Sequence, residues 1–175
     1  MADETENLNT TETPNAQVPP TPVVLTDEEK VEFFKCFLAD KSYEADDVLF
    51  GGAIKIRFRS LTVEQSTDVY GQLKVEQQNG HLTTDMAYLT ALTCYRLGQS
   101  LVSINDEPFQ PNIVKTEEKA VSFIKTIYIK QKADVIDAWP VYKLSAYAEA
   151  FKAFEDKVIA LTKGIADPNF WPAAK

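Results

Sequence analysis

The chain has one histidine and two cysteines in 175 residues, and this scarcity removes most familiar catalytic arrangements. Any Ser/His/Asp or Cys/His site would have to be built around His81. That residue follows the turn pair Asn79-Gly80 and reads as a solvated loop histidine. Cys36 and Cys94 lie in separate apolar, helix-like stretches, the pattern of reduced buried thiols rather than of a disulfide framework. With a single histidine beside them and no close spacing, they do not supply a tetrahedral zinc set. The six glycines are scattered and form neither a phosphate loop nor a dinucleotide fingerprint. No apolar run approaches the roughly 18 residues of a membrane span. The N-terminus lacks the basic and apolar regions of a secretory signal, so the reading expects a chain made and used in a reducing compartment. Positive charge is also short. The net charge is −8 and the pI about 4.7, which argues against general nucleic-acid binding and leaves room for a basic partner.

The carboxylates that make up the excess do not assemble into chemistry. Asp46-Asp47 and Glu117-Glu118 read as turn and helix-dipole residues rather than as an acid/base pair. Asn105-Asp106-Glu107 lacks the alternating acids, central glycine and distal glutamate of a calcium loop, and reads as an ordinary turn. The expectation is therefore no catalytic residue, no cofactor and no metal.

The most ordered signal is Ala53-Ile54-Lys55-Ile56-Arg57-Phe58-Arg59. Ile54, Ile56 and Phe58 alternate with Lys55, Arg57 and Arg59, the period of a half-buried antiparallel strand. Gly51-Gly52 ahead of it is the pair a tight hairpin turn needs. Lys55, Arg57 and Arg59 form the compact basic row of the chain, either a solvated strand face or a docking face for an acidic partner.

Around this strand the pattern is helical. Residues 1–25 carry four acids, no Lys or Arg, and several Thr, Asn and Pro. Such a segment cannot bury enough apolar surface to order itself, so an arm is expected, acting as a solubilising tail or as a peptide that folds on a partner. Residues 26–175 form the single globular domain. Thr26 with Glu29 is a capping box, opening a helix that carries Val31, Phe33, Phe34, Phe37 and Leu38 and ends near Asp40. A second helix runs from Val63 to about Gln78, with Val63, Tyr70 and Leu73 inward, and Asn79-Gly80 stops it. A third, from Thr84-Asp85 to about Ser100, is apolar nearly all round and should be the core helix. Leu101–Ile104 is a short strand candidate, and Pro108 confines any returning strand to an edge. Thr116 caps a fourth helix to about Lys132, with Val121, Ile124, Ile127 and Tyr128 on its stripe. Pro140 starts the last helix, whose stripe is Leu144, Tyr147, Phe151, Phe154, Val158 and Leu161 and whose C-cap is Gly164. The fold class is α+β, mostly helical with about five helices, one β-hairpin and a third short strand.

Aromatics gather at the two ends of the domain. Phe33, Phe34 and Phe37 lie at one, Phe170 and Trp171 at the other, and each is either core or the grip of a protein-binding surface. The last two could also fold back over the hairpin. Together with the row Lys55, Arg57 and Arg59, these are the candidate partner-binding residues.

Three segments carry a family likeness: Ile54 through Glu64, Tyr88-Leu89-Thr90-Ala91-Leu92 through Leu101–Glu107, and Pro168-Asn169-Phe170-Trp171. Their order resembles the tail assembly chaperones and baseplate hub assembly proteins of contractile-tailed bacteriophages. The resemblance implies non-enzymatic assembly work in the host cytoplasm. It further implies binding to a tail component such as the tape measure or hub protein, or alternatively a place in the virion as a structural subunit. The acidic balance and the lack of a long apolar run point to no nucleic acid and no membrane as partner, and a homo-oligomer stays open.

Overall fold

The computed structural model describes residues 23–110, 121–167 and 169–171. The expected arm up to residue 22, the Thr116 cap and Glu117-Glu118 lie outside the described residues.

Helix α1 (Asp27–Leu38) starts on the capping box read from the sequence. The Glu29 N–H donates to Thr26 Oγ1 at 3.2 Å and the Thr26 N–H to Glu29 Oε2 at 2.8 Å. Lys157 also donates to Glu29 Oε1 at 2.5 Å, tying this helix start to the last helix. Strands β1 (Glu44–Leu49) and β2 (Ile54–Arg59) form an antiparallel hairpin with Glu44 opposite Arg59 and Leu49 opposite Ile54. Its loop, Phe50–Ala53, is longer than the two-residue turn expected. Gly51 and Gly52 both take positive φ, 65° and 97°, and Phe50 joins them at 52°.

Helices α2 (Val63–Gln78) and α3 (Asp85–Ser100) follow, then β3 (Leu101–Ile104) and β4 (Glu107–Pro108). Asn105 and Asp106, at φ 51° and 64°, make the two-residue turn between β3 and β4 with the left-handed backbone such a turn demands. The sheet order is β1-β2-β3-β4, all antiparallel, so Pro108 does lie on an edge. The single hairpin expected is thus two hairpins sharing one four-stranded sheet. Helices α4 (Val121–Asp137) and α5 (Val141–Gly164) complete the α+β fold.

The inner face of β2 sets the core. Ile56 and Phe58 are fully buried, and Phe58 meets Phe151 and Phe154 of α5, each at 5.7 Å between ring centres. Tyr43 stacks on Phe154 at 6.2 Å and takes the edge of Phe33 at 5.6 Å. Leu97, Leu101, Ile136 and Leu161 are fully buried in the same core. The C-terminal half of α3 is the core helix expected, whereas Met86 and Leu89 in its first turns stay exposed.

On one helix the inward face is rotated from the sequence reading, and on another it is extended. On α2 the buried pair is Val69 and Leu73, while Val63 is 86% exposed and Tyr70 also points outward. On α4, Val121 and Ile124 of the expected stripe lie outside the described side chains, and among those described the buried ones are Ile129, Lys132, Ala133 and Ile136. The helix continues to Asp137 rather than ending at Lys132, with Ile127 and Tyr128 only half-buried. Val63 is the first residue of α2, where an apolar side chain faces solvent readily. The close approach of α4 to α3 selects the face opposite Gly98, where an added Cβ would lie 3.2 Å from the Lys132 Cβ.

Gly164 is not the C-cap expected, which is Ile165. Gly164 is the last residue of α5, with Ile165 following in helical geometry, and Phe170 packs where its side chain would be. Gly164→Val should therefore displace the Phe170–Trp171 tail, cost about 1–3 kcal/mol by overpacking, and shift tryptophan emission to longer wavelength. An unchanged spectrum would mean the tail does not dock there in solution.

Candidate protein-binding surface

The structure separates the three aromatics of α1. Phe33 turns into the core against Tyr43. Phe34 and Phe37 remain 45% and 53% exposed, and Val31 and Leu38 are exposed beside them at helical spacing. α1 was expected to be largely buried or docked; within this chain, only Phe33 is buried.

The C-terminal aromatics join this strip and do not cover the hairpin. Trp171 lies 5.5 Å from Phe34 between ring centres, and Phe170 meets Trp171 edge-on at 5.1 Å. Lys30 sits over the Phe170 ring at 4.8 Å while pairing with Asp27 at 3.2 Å. Four of the predicted residues, Phe34, Phe37, Phe170 and Trp171, thus belong to one surface assembled from α1 and the chain end. Exposed aromatic and aliphatic side chains at one helical face are the anchors that protein interfaces use.

The basic row stands elsewhere, on the outer face of the sheet, and its charge is met from within. Arg57 makes a two-pronged contact to Asp46, Nε–Oδ1 2.6 Å and Nη2–Oδ2 3.1 Å. Lys55 reaches Asp106 at 2.9 Å and Asp46 at 3.5 Å. Arg59 donates through Nε to the Gln99 carbonyl at 3.1 Å. The hydrogen bond from Arg57 holds the Asp46 carboxyl below the usual range. Asp46 and Asp47 are therefore strand residues, not the turn residues expected, because Asp46 finds its counter-charge directly across the hairpin.

A cleft of about 530 Å³ opens between α2, α3 and α4, with His81, Glu76, Cys94, Tyr95 and Asp134 on its walls. Its polar groups are engaged with one another. Tyr95 donates its hydroxyl to Glu76 at 2.8 Å, and Lys130 donates to the same oxygen at 2.7 Å and to Asp134 at 3.2 Å. Burial pushes the Glu76 carboxyl up, but the hydrogen bonds from Lys130 and Tyr95 outweigh it and hold the group below its ordinary value. The Tyr95 hydroxyl is pushed well up by burial and by this same carboxylate. Burial also lifts the Cys94 thiol to about 11, so it stays protonated at neutral pH. These groups are held in the protonation states that stabilise the helix packing rather than poised for proton transfer near neutrality.

Sequence reasoning missed this cluster because its members come from three helices with no shared motif. Among the described residues no group of three or more His, Cys, Asp or Glu could hold a metal ion, and no helix is long and apolar enough to cross a membrane. No family model, curated protein or solved structure matches the chain.

Proposed function

We propose that this protein is a non-enzymatic assembly factor of a contractile phage tail or baseplate, acting in the host cytoplasm by binding a tail component such as the tape measure or hub protein. The observation that carries the binding reading is the exposed strip of Phe34, Phe37 and Leu38 beside Trp171. A soluble domain that leaves such side chains uncovered has a use for them in association. The tail setting rests on the likeness of the three segments quoted above.

Phe37 separates stability from binding. Because its ring is about half exposed, Phe37→Ala should cost less than about 1 kcal/mol of stability. Capture of the tail component by the tagged protein, read by mass spectrometry during assembly, should fall at least tenfold. Undiminished capture would remove this surface from the function. Stoichiometric presence of the chain in finished particles would identify a structural subunit instead of a factor that leaves.

A further inference from the structure

Strand β1 is one edge of the sheet, and α5 runs beside it. Backbone parity identifies the groups at that edge. The Ser60 N–H donates to the Tyr43 carbonyl at 2.8 Å and the Tyr43 N–H to Ser60 Oγ at 2.9 Å, so Tyr43 faces β2. In a regular strand Ala45, Asp47 and Leu49 then also face β2, and Glu44, Asp46 and Val48 direct their N–H and C=O groups outward. No strand among the described residues pairs with them. The Val48 N–H is instead met by its neighbour's side chain, Asp47 Oδ1, at 2.7 Å.

Beside this edge is a groove of about 320 Å³. Its helical wall is Ala146, Ala150 and Ala153, whose short side chains leave room, and its rim holds the carboxylates of Asp47 and Glu149 with no cation in the lining. Phe50 closes one end, its ring exposed on a backbone of φ 52° that a bulky residue seldom adopts.

We infer that the groove between β1 and α5 receives an extended, basic–apolar segment of a partner protein as a fifth strand. An open edge with a helix alongside provides backbone hydrogen bonds for affinity and a side-chain channel for specificity. β-branched side chains of the added strand lie on the alanines, and lysines at the ends of the same face meet Asp47 and Glu149. On binding, the Val48 N–H passes from Asp47 Oδ1 to a carbonyl of the incoming strand, and the carboxylate is released for the lysine. A second copy of this chain does not suit the edge. β1 has Glu44, Asp46 and Asp47 and no base, so pairing β1 with itself sets like charges together. The acidic N-terminal segment is mismatched for the same reason. This site is separate from the α1 strip and does not depend on the tail-assembly reading.

The test uses the full chain and a capped octapeptide with threonine at odd positions and lysine, valine, valine, lysine at the even ones. Amide exchange by NMR should show Glu44 and Asp46 exchanging freely alone, Val48 held only by the exposed Asp47 carboxylate, and all three more protected with peptide. Val48→Pro removes one outward donor, and Ala153→Arg closes the channel at an exposed position. Each should weaken binding at least tenfold without shifting the melting temperature by more than a few degrees. Replacing the peptide lysines with glutamates should weaken it similarly. Absence of binding at millimolar peptide, binding that leaves the three amides unprotected, or binding indifferent to Val48→Pro overturns the proposal. Concentration-dependent protection of the edge without peptide overturns it in favour of self-association.

Discussion

Phe58→Ala should lower the stability of the domain by about 3–5 kcal/mol in chemical denaturation, close to half of what a domain of this size commonly has. Phe58 is fully buried where the sheet meets α5, with the rings of Phe151 and Phe154 both 5.7 Å away. Its cross-strand neighbours are Ala45 on β1 and Leu101 on β3, so no larger side chain is opposite it to collapse into the space. The loss therefore combines the transfer of a phenyl ring, a cavity that stays open, and two tilted ring contacts. Phe58→Leu, which keeps most of the volume, should cost less than about 1.5 kcal/mol. A similar small cost for Phe58→Ala would mean that this junction is not the centre of the core. Phe37 on α1 supplies the contrast: it is the same residue type, but outside the core, and is expected to matter for binding alone.

That contrast marks how much could be read from the chain. β2 was legible because Ile54, Ile56 and Phe58 alternate with three cations, and period two has one structural meaning. A partner strand ahead of Gly51-Gly52 was implied by the hairpin, but its extent back to Glu44 was not legible, because Glu44-Ala45-Asp46-Asp47-Val48-Leu49 has poor strand propensity and is held by cross-strand pairing, above all Arg57 to Asp46. The edge groove went unread with it. The capping box at Thr26 and the stop at Asn79-Gly80 are local chemistry and were visible; Gly80 indeed takes φ 76°. The inward face of α2 and the buried end of α4 were not, since which residues turn inward is decided by the helix across from them. The wide apolar arc of α1 was likewise apparent, but only the position of Tyr43 shows that Phe33 is the inward residue. The meeting of Trp171 with Phe34 joins residues from opposite ends of the domain and leaves no trace in local pattern.

The least legible core residue is Lys132, and replacing it should make the protein more stable. Its side chain is only 4% exposed, on the face of α4 that meets Gly98 of α3. The ammonium lies 5.0 Å from the Tyr128 ring centre and 5.7 Å from that of Phe109. No carboxylate among the described residues pairs with it, and the charged group that acts on it is Arg59 of β2, of like sign. Burial, with Arg59 adding to it, pushes the Lys132 ammonium down from 10.5 to about 8. A lysine depressed on folding is a destabilising group wherever it must hold its proton. The penalty is complete below about pH 8 and is relieved as pH rises from there to 10.5, because over that window the unfolded chain binds the proton and the folded one does not. The shift corresponds to roughly 3 kcal/mol at neutral pH, and loss of the ring contacts gives back about 1. Lys132→Met keeps the length and places a sulfur between the two rings. At pH 7 it should therefore gain about 2 kcal/mol in denaturant unfolding. The decisive reading is the difference between wild type and variant as a function of pH. It should be constant below pH 8 and shrink steadily toward pH 10.5, while the raised thiol and phenol groups, common to both proteins, cancel. A variant less stable than wild type at pH 7, or a difference that does not change with pH, would mean that the folded protein holds this ammonium at no cost.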